Sequence, residues 1–389
     1  MNKTEKVYSL QFWLTCLSSL LFFASFNMII PELPAYLTAL GGAEYKGLII
    51  SLFTLTAMLS RPFSGKLADK WGRKPVMMVG AVVCFVCGFL YPVLSSVGAF
   101  LFLRLVHGFS TGFTPTGQTA FLADIVPAQR RGEAMGLLGT VSTMGMAGGP
   151  AIGGVIANHF SLEVLFYFSS VFAITSVLIL IGVKETLAVR QPLSITMFKI
   201  HKRDLIEPRV MRACIVMGLS AYLYGTLYTL IPDFGEWVGI RNKGLLFTYL
   251  TVASLMMRLL AGKASDRFGR VAVLKVSMSL MVIAALVMGW ASAKWQLQLG
   301  VVLYGMANGM TSPTLFAWAT DLSDEKHKGR GLASLYIFME LGIGVGALGS
   351  GLLFANETAN FPLTFGVCAV LCFCSLLFLF SSFARKPVV

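Results

Sequence analysis

The sequence predicts an all-α membrane protein of twelve transmembrane helices arranged as two related halves. Three observations predict it. The 389-residue chain is 56% hydrophobic and only 13% charged, where an ordinary soluble domain is roughly a quarter charged. It lacks the polar residues to clothe a water-facing surface. Apolar runs of about 20 residues, each long enough to cross a bilayer as a helix, recur along the chain. Finally, the charged stretch Gly65-Lys66-Leu67-Ala68-Asp69-Lys70-Trp71-Gly72-Arg73-Lys74-Pro75 returns as Gly262-Lys263-Ala264-Ser265-Asp266-Arg267-Phe268-Gly269-Arg270. The offset is 197 residues, and Arg61 and Arg258 precede the two copies at equal distance. A repeat on that scale marks two copies of one unit.

The spans are expected near residues 11–38, 46–68, 75–93, 97–122, 133–157, 162–183, 210–234, 244–264, 271–291, 295–319, 331–355 and 361–384. They divide the chain into an N-terminal half (1–183), a linker (184–209) and a C-terminal half (210–389). A formal net charge of +13 would suggest nucleic acid in a soluble protein, but its placement excludes that partner. Most of the 31 Lys and Arg fall at the termini, in the even-to-odd links and in the linker. Lys46, Arg241, Lys243 and Lys294 lie on the other side, and Arg61, Arg104 and Arg258 within spans. Basic residues stay cytoplasmic, so both termini and the linker are expected inside, in a cytoplasmic (inner) membrane. The first apolar run is too long for a cleaved signal and is expected to be retained. The seven cysteines all fall in apolar runs; Cys84 and Cys87 imitate a redox pair but read as packing, and no disulfide or metal site follows.

Taken in order, span 1 ends in Ile29-Ile30-Pro31-Glu32-Leu33-Pro34, two prolines flanking a carboxylate inside an apolar segment. Proline removes backbone donors, and an intramembrane carboxylate is costly enough to point to function. Span 7 repeats the arrangement at Pro232-Asp233, nearer the surface. Span 4 carries Arg104, His107, Gly108, Gly112 and Pro115; Arg104 has no counterpart in span 10 (Val301) and needs a carboxylate or water, for which Glu32 is the expected partner. Gly112 to Thr119 nearly spells a phosphate-binding loop, but Gln118 stands in place of the lysine and no strand precedes it, so a built-in ATPase is excluded. Span 5 is studded with Gly136, Gly145, Gly149, Gly153 and Gly154 around Pro150, small residues that let helices approach closely. Span 11 matches its glycines with Gly342, Gly346 and Gly351 but has Ala347 for Pro150, and carries Glu340 deep in the run where span 5 has Thr143. Glu340 is expected to face a cavity or a polar partner. The linker is expected to be a solvated connector, with an amphipathic surface helix as the alternative.

These residues resemble the major facilitator superfamily. Gly65, Leu67, Ala68, Asp69, Gly72, Arg73 and Lys74 are similar to its loop 2–3 signature, and 262–270 to the degenerate twin in loop 8–9. Arg104 and Gly108 resemble its span 4 motif. The spacing of Gly136, Gly145, Gly149, Pro150, Gly153 and Gly154 resembles the antiporter motif of its drug:proton antiporters, and Pro31 and Pro34 a proline pair of the twelve-helix branch. The resemblance implies two six-helix bundles around a cavity open alternately to each side. It implies a span 4 arginine active in proton coupling, and a latch of Asp69, Arg73 and Asp124, echoed by Asp266, Arg270 and Asp321, formed while the inner side is closed. His107 departs from the family, which often has Gln there.

The expected function is a proton-coupled antiporter exporting small amphiphilic substrates: a monomer, not an enzyme, with no cofactor beyond protons as coupling ion. Glu32 and Glu340 are the expected proton or cation acceptors, with Arg104, His107 and Asp233 beside them. An importer of a small polar solute, or a transport-dead sensor or scaffold, stays open.

Overall fold

The computed structural model describes residues 8–127, 130–187, 189–194, 197, 206–323 and 328–381. Among the described residues, twelve long helices and one short one follow in order: α1 (Leu10–Ile29), α2 (Leu33–Ala39), α3 (Lys46–Lys70), α4 (Arg73–Leu90), α5 (Val97–Ile125), α6 (Arg131–His159), α7 (Leu162–Ile181), α8 (Met211–Trp237), α9 (Gly244–Phe268), α10 (Arg270–Gly289), α11 (Lys294–Leu322), α12 (Lys328–Phe354) and α13 (Phe361–Phe380). No strand occurs among the described residues. Nine described helical segments are long and apolar enough to cross a membrane, with α9 a tenth if its bend of 41° is counted within one span. The all-α membrane fold is as expected.

Local chemistry explains the boundaries. Ser9, Ser96 and Ser161 cap α1, α5 and α7, each side chain accepting the amide of the residue three positions on. Pro31 breaks the first span into a short 3-10 turn over Ile30–Glu32 before α2 begins. Pro62, Pro115, Pro150, Pro232 and Pro313 instead lie inside helices. Gly72 and Gly269, at repeat-related positions, take φ of 143° and 89°, backbone that side-chain-bearing residues rarely adopt, and so turn the chain between α3 and α4 and between α9 and α10. Gly112–Gly117 lies within the uninterrupted α5, so no phosphate-binding loop forms. Large apolar side chains such as Phe102, Leu178, Val276 and Leu352 are exposed, as on a surface solvated by lipid rather than water.

The helices pack as two sets. Helices α1, α3, α4, α5, α6 and α7 contact one another, as do α8 to α13, and the sets meet mainly along α3–α12 and α6–α9. Within each set repeat-related glycines do the same work. A Cβ on Gly108 or Gly305 would strike the carbonyl of Phe53 or Leu250, itself a repeat-related pair. One on Gly149 would lie 2.5 Å from the Ala24 carbonyl, and one on Gly346 would strike that of Tyr222. Helix backbones thus touch at these points, which lipid-embedded helices exploit because small residues maximise dispersion contact.

The linker is solvated along much of its described length but anchored at its start. Residues 188, 195, 196 and 198–205 lie outside the described residues, and the alternative of a surface helix falls on them. The described part is exposed at Lys184 and over residues 189–194, as a solvated connector would be, but it is tied down at several points. Glu185, with its side chain 5% exposed, accepts the backbone amides of Arg73 and Lys74 at 3.0 Å each. The Gln191 amide donates to the Lys70 carbonyl, and Met197 packs with Leu67, Ala68, Val76 and Phe113. The linker begins strapped across the first charged loop.

Candidate functional site

The end of the molecule bearing the α3–α4 and α9–α10 loops is its charged face, and the opposite end its far face. At the far face the two helix sets are in backbone contact. A Cβ on Gly47 would lie 2.7 Å from the Ala347 carbonyl, and one on Gly351 2.8 Å from the Gly47 Cα. Gly244 packs against the Pro150 carbonyl and Gly154 against the Asn242 side chain. The Thr248 hydroxyl donates to the Ala147 carbonyl at 3.0 Å, and Lys46 pairs with Asp233 at 2.8 Å. Toward the charged face the same helices present Gly65, Gly136 and Gly262, where a Cβ would meet open space.

The glycine stripe of α6 therefore has two duties. Gly145, Gly149 and Gly153 face the carbonyls of Leu20, Ala24 and Met28 on α1 of their own set. Pro150 and Gly154, together with Ala147 and, nearer the charged face, Gly139, face the other set.

Between the two ends, Arg61 of α3 donates from Nη2 to Glu340 Oε1 of α12 at 2.6 Å, the side chains 13% and 7% exposed. Its guanidinium lies over the Tyr336 ring, 4.5 Å from the centroid. The expectation that Glu340 meets a polar partner is answered by an ion pair crossing from one helix set to the other. Removing one member of such a buried pair strands the other charge, at about 3–5 kcal/mol. Sequence reasoning misses Arg61 as a site residue, because nothing local distinguishes it from a loop-flanking cation.

Arg104 is buried, at 1% exposure, but its partner is not Glu32. Nε donates to the Ile49 carbonyl at 2.9 Å, Nη1 to the Tyr91 hydroxyl at 3.2 Å, and the guanidinium stands over Phe53 at 4.6 Å. The neighbours of α5 supply a carbonyl, a phenol and a ring, which replace a carboxylate. His107, fully buried, joins the same cluster: Nδ1 lies 3.1 Å from the Tyr91 hydroxyl and Nε2 3.4 Å from Cys84 Sγ. This polar chain sits inside one helix set. Glu32, beyond the Pro31 break, lies instead where Lys243 and Glu236 are the charges acting on it, beside the Lys243–Glu236 pair of the far face.

At the charged face Arg73 bridges Asp69 at 2.6 Å and Asp124 at 3.0 Å. Arg270 repeats this, pairing with Asp266 and, at 2.9 Å, with Asp321. Each latch closes within one helix set, and both are formed while the far face is packed. Asp69 contacts Arg73 rather than a helix of the other set and is largely exposed. The first latch has an extra tie, since the Thr186 hydroxyl donates to Asp124 at 2.7 Å. Gly72 makes room for the strap beside it: a Cβ there would lie 2.5 Å from a Glu185 carboxylate oxygen.

Comparison with known proteins agrees with this fold. The sequence profile of the Major Facilitator Superfamily matches residues 15–241 and 213–388, once for each half. The chain is 30% identical over 341 residues to the multi-drug resistance efflux pump PmrA of Streptococcus pneumoniae, covering 84% of each. It is 27% identical to the multidrug resistance protein MdtG of Escherichia fergusonii, covering 96% of this chain and 94% of that one. Among solved structures, a D-xylose–proton symporter superposes with a TM-score of 0.79 at 17% identity, covering 95% and 96% of the two chains, a likeness of fold. The chain belongs to the major facilitator superfamily: it is an integral multi-pass membrane transporter, not an enzyme.

Proposed function

We propose that the protein is a proton-coupled antiporter that exports small amphiphilic compounds by alternating access. In this reading it sits in the cytoplasmic membrane with the charged face and both termini inside, the far face outside, and works as a monomer. The observation that carries the proposal is the Arg61–Glu340 ion pair, 2.6 Å long and joining the two helix sets at their seam. A proton on Glu340 removes the charge that holds Arg61, so proton binding and the relative position of the sets are linked through one contact. A ligand shifts a two-state equilibrium only by binding the states differently, and this pair supplies that difference. The packed far face and the open space around Gly65, Gly136 and Gly262 at the charged face support an inward-open state, with those glycines as the surfaces that meet when the charged face closes. Export as the direction draws on the named efflux pumps among its relatives and on the complete α6 motif.

The test is pH-gradient-driven uptake of a fluorescent amphiphile into inverted vesicles, alongside counterflow without a gradient. Glu340→Gln keeps the shape and hydrogen-bonding capacity but cannot titrate, so it should abolish gradient-driven uptake while counterflow survives. Full gradient-driven uptake in Glu340→Gln removes this residue as the proton site. Absence of any flux in the wild-type protein favours a sensor, and flux of the opposite sign an importer.

A further inference from the structure

The seam carries more positive charge than it pairs. Arg258 of α9 is the repeat counterpart of Arg61, 197 residues on, and the two arginines approach the same group from opposite helix sets: Tyr336 lies within electrostatic reach of Arg61, Glu340 and Arg258 together. Glu340 is committed to Arg61. The groups acting on Arg258 are the phenols of Tyr336 and Tyr224, with no carboxylate among them. Its Nε is sealed from solvent without a hydrogen-bond partner, as is that of Arg61. Arg258 also reaches across the seam, because a Cβ built on Gly139 of α6 would lie 3.7 Å from its Nη1. A guanidinium inside a membrane protein is costly unless paired, and among the described residues this one has aromatic neighbours but no anion.

We propose that Arg258 is a substrate-binding residue and that the substrates are amphiphiles carrying a carboxylate, which takes the place of the missing anion between Arg258 and the Tyr336 and Tyr224 phenols. The proposal deepens the transporter reading and rests on it. The guanidinium fork matches a carboxylate with two parallel N–H donors, and the tyrosine rings accept the apolar body of the molecule. Gly139 leaves the approach from α6 clear.

The experiment titrates the purified full chain in lipid nanodiscs with three probes sharing one ring system: 1-naphthylacetate, the neutral 1-naphthylacetamide, and a 1-naphthylmethyl trimethylammonium cation. Thermal shift reads binding, because a ligand stabilises by mass action. The wild-type protein should bind the carboxylate at least about tenfold more tightly than the amide, as expected for one charge-assisted hydrogen bond. The preference should vanish in Arg258→Gln and largely remain in Arg258→Lys. Should Arg258→Gln not fold, Gly139→Asp supplies an internal carboxylate beside Arg258 and should abolish the preference. A wild-type protein that ignores the carboxylate, prefers the amide or cation, or keeps its preference in the folded Arg258→Gln or Gly139→Asp variant overturns the proposal. The cation probe, followed as flux into inverted vesicles, separates the two readings. Flux without carboxylate preference sinks this inference alone; carboxylate binding without flux of any probe sinks the transport reading and leaves the site standing.

Discussion

Gly47→Ala should unlock the far face. The added methyl would sit 2.7 Å from the Ala347 carbonyl and 3.2 Å from the Leu348 Cα, both atoms of the other helix set. A backbone carbonyl cannot rotate away as a side-chain tip can, so ordinary contact is restored only if α3 and α12 separate, the kind of backbone shift that overpacking forces. Overpacking of this kind costs about 1–3 kcal/mol. Here the cost falls only on the state in which the far face is packed, because once the sets part Gly47 has no neighbour to strike. The equilibrium between states should therefore move by about 5- to 150-fold toward far-face opening. Ser95 and Ser292, exposed in far-face loops of opposite sets, serve as labelling sites after conversion to cysteine in a background where the exposed Cys374 is serine. Pulsed dipolar spectroscopy should show a longer-distance population grow in Gly47→Ala. Gly65→Ala, whose methyl would meet open space, should leave the packed state undisturbed. A folded Gly47→Ala protein with an unchanged distance distribution would refute the reasoning.

The same geometry makes further outcomes measurable. Arg61→Gln and Glu340→Gln should be strongly coupled in a double-mutant cycle on thermal stability, each single change costing about 3–5 kcal/mol and the pair less than their sum; additive effects would mean the ion pair does not form in the membrane. Gly149→Leu should destabilise the N-terminal set itself, lowering the melting temperature and not merely the flux, since it forces α1 from α6; normal melting would contradict that packing. Asp69→Asn should change stability by less than about 1 kcal/mol, because the carboxylate is mostly exposed, whereas Asp124→Asn also loosens Thr186 and should raise protease nicking of the linker. Glu185→Ala should have the same effect by uncapping α4, and an intact linker in both variants would show that the strap is not held by these contacts.

The sequence by itself determined what depends on neighbours in the chain. Apolar length set the spans, Pro31 set the break in the first of them, and the placement of lysine and arginine set the expected topology. The family resemblance named the two latches in advance, and the 197-residue repeat marked their members in both halves, since Asp266, Arg270 and Asp321 keep the offset of Asp69, Arg73 and Asp124. Tertiary structure alone decided who meets whom across the molecule. Arg61 and Glu340 are 279 residues apart, and nothing in either neighbourhood names the other. Depth alone pairs Arg104 with Glu32, yet depth does not fix direction: the rotation of α5 aims its guanidinium at Ile49 and Tyr91, while the Pro31 break leaves Glu32 at the far face. Glu185 is hidden for the same reason, since a carboxylate in a linker reads as solvated until the fold brings it over the first turn of α4. Hydrophobic length and helical period are one-dimensional and survive in the sequence; the partners of buried charge are set by which helix faces pack together, and that information exists only once the chain has folded.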